Sequence, residues 1–188
     1  KSAGQSVAQL LGGTPGKLRA YASSMRRDIS ANDEAKRMAA LRDTNGFDAF
    51  KVRVCSECGH DIEEVPGSSE DVVLAVRRAL GNSVALQIDA NSGFSPLRAI
   101  EVGKMLEANG VEHFEEPCPY WRLEDTFQVT RALELDVAGG EQDWDLENWR
   151  RMIDMRAVDI IQPDILYLGG MTRSMQVAQM GAKVGLPC

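Results

Sequence analysis

Short apolar runs of strand length alternate along this chain with amphipathic stretches of helix length, and several of the strand-like runs end in an acid. The runs are Leu18–Ser23, Phe47–Val54, Val84–Asp89, Val111–Glu115, Asp136–Glu141 and Val158–Pro163, and the last residues, from Gly185, open a seventh. Between them Asp33–Arg42, Ser69–Leu80, Ser95–Ala108, Leu123–Leu133, Leu146–Met155 and Thr172–Val184 read as helices. Ser68 or Ser69 stands as an N-cap, with Gly81 and Asn109-Gly110 as stops. Such alternation predicts right-handed βαβ units and a parallel sheet. Asp89, Glu115, Glu141 and Asp164 follow one another at 26, 26 and 23 residues. So even a beat favours a closed (β/α) barrel over an open sheet, whose loops vary more. A whole barrel has eight units in about 250 residues. Six and a beginning are counted, so the expected class is α/β, a TIM-type barrel in truncated form. The start at Lys1 and the stop inside a strand fit a fragment.

Composition narrows the function. The 188 residues carry a net charge of −7, with 44% hydrophobic and 26% charged residues, which are ordinary globular values. A disordered tail, a collagen-like chain and a coiled coil are excluded. No apolar run approaches the roughly 18 residues of a membrane span. The acidic balance argues against a nucleic-acid partner. The four cysteines, Cys55, Cys58, Cys118 and Cys188, are too few to staple a chain this apolar; reduced thiols in the cytoplasm are expected.

The acids gain meaning from strand periodicity. Alternate strand residues share a face, which groups Ala85, Gln87 and Asp89, then Val111, His113 and Glu115, then Val137, Gly139 and Glu141. Each series ends in a carboxylate at the C-terminal end of its strand, where active sites of barrels lie. Three converging carboxylates repel one another unless a cation is present, and hard oxygen donors suit Mg²⁺, with Mn²⁺ as a substitute. The second strand puts Ala49, Lys51 and Arg53 on one face, so two cations point the same way as the acids. The sixth adds Gln162 and Asp164 in register.

Lys51-Val52-Arg53, Ile88-Asp89-Ala90-Asn91, Phe114-Glu115-Glu116-Pro117, Gly139-Gly140-Glu141 and Gln162-Pro163-Asp164 occur in order on successive strands. This set resembles the enolase superfamily and, within it, the mandelate racemase-like subgroup that includes muconate lactonizing enzymes. The resemblance runs from about Leu10 to Cys188. It implies Mg²⁺ held by Asp89, Glu115 and Glu141, a carboxylate substrate, and a base that removes the proton α to that carboxylate. It implies that Asp164 orients a histidine base on the seventh strand, and that Lys51 stabilises charge on the substrate carboxylate. It also implies that residues 1–16 are the tail of an N-terminal capping domain and its linker, and residues 17–188 the partial barrel. One position departs from the pattern: Arg53 stands where the family has a second lysine. Arginine stays protonated and makes a poor general base. A single-base dehydration of a sugar acid is therefore preferred to two-base racemisation. Racemisation or cycloisomerisation remains the alternative, and an inert metal-binding barrel fragment lacking its base is the alternative from another class. A homo-oligomer is expected of the full-length protein.

Other residues are ambiguous at this level. Ser23, Asn91 and Trp144 sit where a substrate contact is expected, although Trp144 serves equally as outer packing. Cys55-Ser-Glu-Cys58-Gly-His60 has the spacing of a zinc or redox pair but lacks further ligands, and reads better as loop decoration. His113 reads as a packed histidine, and Gly169-Gly170 as a tight turn.

Overall fold

The computed structural model describes residues 2–188. After a one-turn helix α1 (Val7–Leu10), strands and helices alternate: β1 (Ala22–Ser23), α2 (Ala31–Asn45), β2 (Ala49–Arg53), α3 (Ser68–Leu80), β3 (Ala85–Asp89) and α4 (Pro96–Ala108). They continue with β4 (His113–Glu115), α5 (Leu123–Ala132), β5 (Asp136–Gly139), α6 (Leu146–Met155), β6 (Ile160–Ile161) and α7 (Met171–Lys183). The six strands lie side by side in chain order, every neighbouring pair parallel. An order that never reverses is the arc of a barrel; a doubly wound sheet turns back at a switch point. Past α7, the chain end returns beside β6, where Ile161 N–H donates to the Pro187 carbonyl at 3.0 Å.

The two faces of the arc differ in chemistry, as period-two alternation requires. Phe50, Val52, Leu86, Ile88, Phe114, Val137 and Ile161 join the apolar core with helix residues such as Met38, Val73, Val76, Leu106, Trp149 and Val177. The opposite face carries Lys51, Gln87, His113, Arg53, Asp89 and Glu115 in adjacent register. Among the described residues no helix is long and apolar enough to cross a membrane.

Several element limits differ from the sequence reading. The first strand shrinks from Leu18–Ser23 to two residues, and Leu18 is 92% exposed, because nothing pairs with that edge. The sixth shrinks to Ile160–Ile161 at the other edge. Val111 is lost to the fourth strand because its N–H donates to the Leu106 carbonyl and closes α4. The N-cap of α3 is Gly67, at φ 81°, and not a serine. The helix start is instead satisfied by Glu63, whose carboxylate accepts from Gly67 N–H at 2.7 Å and Ser69 N–H at 3.0 Å.

The irregular segment after β2 is firmly docked. Gly59 and Asp61 donate backbone N–H bonds to the carbonyls of Ser92 and Gly93 at 2.8 and 3.2 Å. Asp61 Oδ1 accepts from Ser95 N–H at 2.6 Å and so caps α4 from another loop. This clasp holds the loops after β2 and β3 together above the sheet.

Candidate active site

Register builds the site in layers. Ala49 lies beside Ala85 at the bottom. Lys51, Gln87 and His113 form the next row, and Arg53, Asp89 and Glu115 the row above it, at the C-terminal ends of β2, β3 and β4. The sequence therefore places these side chains correctly, because all three strands keep their alternation to the last residue.

The charges interlock. Lys51 Nζ donates to both Glu115 oxygens, at 2.9 and 2.7 Å, and lies 3.6 Å from Asp89 Oδ2. Arg53 Nε is 3.3 Å from the same Asp89 oxygen. Asp89 and Glu115 are almost wholly buried. Burial alone would push the Lys51 pKa down, but Glu115 and then Asp89 hold it above the ordinary lysine range, so it stays an ammonium. The Tyr21 ring faces this ammonium, 5.4 Å from Nζ to its centroid, and adds a cation–π contact.

Strand five requires a correction. Glu115 is in register with Ala138, and Phe114 with Val137. Val137 thus faces the helices, not the carboxylate side as the simple alternation predicts. The strand stops at Gly139, and Gly140 at φ 107° redirects the chain, with Trp149 packed where a Cβ would fall. Glu141 nevertheless comes within electrostatic range of the cluster. Its pKa is raised by burial and then by Glu115 and Asp89, against the opposing pull of Lys51 and Arg53. Glu116, which stands in a motif of the sequence that assigns it no role, is buried beside it. Burial first, then Glu141, push the Glu116 carboxyl up to about 8, and it accepts a bond from Gln142 Nε2 at 3.0 Å.

The remaining sequence candidates scatter. Asn91, at φ 46°, donates its N–H to Asp89 Oδ1 at 2.9 Å, and its side-chain oxygen accepts from Arg27 Nη2 at 2.6 Å. Ser23 is beside Lys51 on the open edge. Its neighbour Ser24 is buried, and its hydroxyl oxygen accepts from Arg37 at 2.8 Å. Asp164 Oδ1 accepts from the N–H groups of Leu166 and Tyr167, which fixes the turn after β6. Trp144 is 66% exposed. His113 lies one layer below Glu115 with its pKa lowered chiefly by burial, the setting of a packed histidine. Cys55 is buried with its thiol donating to the Ile62 carbonyl at 3.0 Å, whereas Cys58 is exposed. Tyr21, Glu116 and Arg27 were not legible in the sequence, because each reaches the site from a loop or an edge.

The donor set has the chemistry of a hard divalent cation. Asp89 Oδ2 is buried without a hydrogen-bond partner, and burial followed by neighbouring acids pushes the Glu141 and Glu116 carboxyls up. In the present arrangement, among the described residues, no three acid, histidine or cysteine groups close on one point. The Lys51 ammonium provides the positive charge between Asp89 and Glu115.

Parallel strands in chain order carry acids and cations at their C-terminal ends, the end at which barrels place their active sites. The model of the enolase C-terminal domain-like family matches residues 33–188, and the chain belongs to that family. Arabinonate dehydratase of Saccharolobus solfataricus is 30% identical over the whole chain, and D-galactarolactone cycloisomerase of Agrobacterium fabrum 34% identical over 99% of it. Each match spans 48% of the relative, so the chain spans about half the length of the curated relatives it matches. Among solved structures, a Roseobacter denitrificans protein provisionally called a racemase superposes with a TM-score of 0.94 at 61% identity, over 96% of this chain and 50% of that one. A mandelate racemase/muconate lactonizing protein of Paracoccus denitrificans, complexed with magnesium, gives 0.89 at 30% identity, over 99% and 50%.

Proposed function

We propose that this chain is the acid-bearing part of a lyase that removes the α-proton of a carboxylate substrate, and that the substrate is a sugar acid dehydrated in the process. The observation that carries the reading is the array of buried Lys51, Asp89 and Glu115 with half-buried Arg53, in register toward the strand ends. Dehydratases of sugar acids among the relatives support the same class.

In this reading Asp89, Glu115 and Glu141 would hold Mg²⁺, or Mn²⁺ in its place. The ion, when bound, would supply fixed positive charge that lowers the energy of an enediolate. Lys51 is a permanent ammonium that binds and orients the substrate carboxylate. Arg53 keeps its proton and holds Asp89 in place, so it takes no proton from substrate. Ser23, Asn91 and Trp144 are assigned to the substrate's surroundings, with Asn91 chiefly keeping Asp89 aimed. Asp164 is assigned to orienting a histidine base. Residues 17–188 are assigned to the barrel and 1–16 to the link with a capping domain.

A cycloisomerase relative at 34% identity favours one second reading, in which the same proton abstraction ends in isomerisation. Incubating the whole protein with aldonic and aldaric acids in D₂O, followed by proton NMR, separates the outcomes. The proposal expects a 2-keto-3-deoxy acid and loss of one water. Exchange at Cα without dehydration supports the second reading. No exchange with any sugar acid refutes both.

A further inference from the structure

Two residues just past the strand ends hold a left-handed backbone that residues with a side chain rarely adopt: Cys55 after β2, at φ 62°, and Asn91 after β3, at φ 46°. Such conformations persist where the surroundings over-determine them. One side chain meets both residues. Arg27, in the loop after β1, donates from Nε to the Cys55 carbonyl at 2.8 Å and from Nη2 to Asn91 Oδ1 at 2.6 Å. The loops that follow β1, β2 and β3 are thus joined on one half-buried guanidinium. Among the described residues Arg27 makes no ion pair, and both of its acceptors are neutral. A planar fork set between two fixed acceptors is a bracket that no lysine reproduces.

Asn91 in turn acts on Asp89. Its N–H donates to Asp89 Oδ1 at 2.9 Å. Holding the Asn91 side chain holds the peptide that carries this N–H. The bond occupies one oxygen of the Asp89 carboxylate. The other, Oδ2, is buried without a hydrogen bond and lies 3.6 Å from Lys51 Nζ and 3.3 Å from Arg53 Nε.

The structure assigns Arg27 as a positioning residue: acting through Asn91, it fixes the Asp89 carboxylate so that Oδ2 is the oxygen left for a divalent cation. The assignment rests on the proposed reading of Asp89 as a ligand of that cation. Groups that orient a metal ligand change metal affinity by about 10–100-fold when they are lost. The direction of the change separates aim from charge. Arg27 is a cation in the same group of loops, so by charge alone its removal would strengthen Mg²⁺ binding. Loss of aim weakens it.

Calorimetric titration of the full chain with Mg²⁺ is expected to show binding weakened about tenfold or more in Arg27→Met. Asn91→Gly removes the acceptor and tolerates a left-handed backbone. In that background Arg27→Met is expected to cost nothing further, because the route through Asn91 is already cut. Arg27→Lys keeps the charge without the fork and is expected to weaken binding as well; it decides the matter if the methionine variant loses its thermal transition. Unchanged or tighter Mg²⁺ binding in folded Arg27 variants, or a loss that simply adds to that of Asn91→Gly, would overturn the inference and leave the metal reading standing. Absence of Mg²⁺ binding in the unsubstituted chain would sink the metal reading, and amide exchange at Asn91, followed by NMR, then decides on Arg27. Faster exchange at Asn91 in the variant, with the β3 amides unchanged, keeps the positioning role. Unchanged exchange at Asn91 overturns it.

Discussion

The ammonium of Lys51 lies 2.7 Å from a Glu115 oxygen and 3.6 Å from Asp89, and both acids are shut away from water. Removing one partner of such a buried pair leaves an uncompensated charge, at a cost of about 3–5 kcal/mol. Lys51→Met is therefore expected to lower the urea midpoint strongly in metal-free buffer, with saturating Mg²⁺ restoring part of the loss. An unchanged midpoint would mean that the acids do not depend on this cation. At this scale, the sequence shows the side chains that sit on regular strand and conceals those that do not. Lys51, Arg53, Asp89 and Glu115 follow from period-two alternation alone. Glu141 lies beyond Gly140, where alternation ends, so its face was assigned by the wrong rule even though it reaches the cluster. Arg27 meets Asn91 across 64 residues of sequence, a contact that no local pattern encodes.

Elements are tied to one another through carboxylates that cap helices from neighbouring loops. Glu63 accepts from two N–H groups at the start of α3, and Asp61 from one at the start of α4. Burial works against ionisation of Glu63. Hydrogen bonds from Ser69 and Gly67 and the charge of Arg98 outweigh it, and its pKa falls below the ordinary 4.5. A carboxyl depressed by folding stabilises the fold fully above its unfolded pKa, and loses that contribution as pH falls through the lower, folded value. Glu63→Gln is expected to cost about 0.5–1 kcal/mol at neutral pH. The gap between variant and parent, read from chemical denaturation, should close as the solution is acidified below about pH 4.5. A gap independent of pH would contradict the role of charge in this cap. The sequence reading placed α3 to within one residue but named a serine as its cap. The true cap lies before the helix, in the irregular segment between Cys55 and Ser68, where propensity says little.

Over the whole molecule, the six strands form an arc with two edges, and the strands at those edges, β1 and β6, have two residues each. The longest strands, β2 and β3, are paired on both sides. Hydrogen exchange is expected to be slowest in β2, β3 and β4 and fastest in β1 and β6, since local opening follows the density of paired backbone and buried contacts. Uniform protection across the sheet would contradict that gradient. The strand order and class were legible because every strand is followed by a helix, the alternation that a parallel sheet requires. The lengths of the edge strands were not, because pairing partners and not residue types determine them. The central claim concerns the top of this arc, where Asp89, Glu115 and Glu141 are proposed to hold one divalent cation. Its most direct test is a calorimetric titration of the chain with Mg²⁺, alongside Glu141→Gln. The account predicts one binding event, weakened on the order of tenfold or more when that anionic ligand is removed. No binding, or the same affinity in the variant, would contradict it.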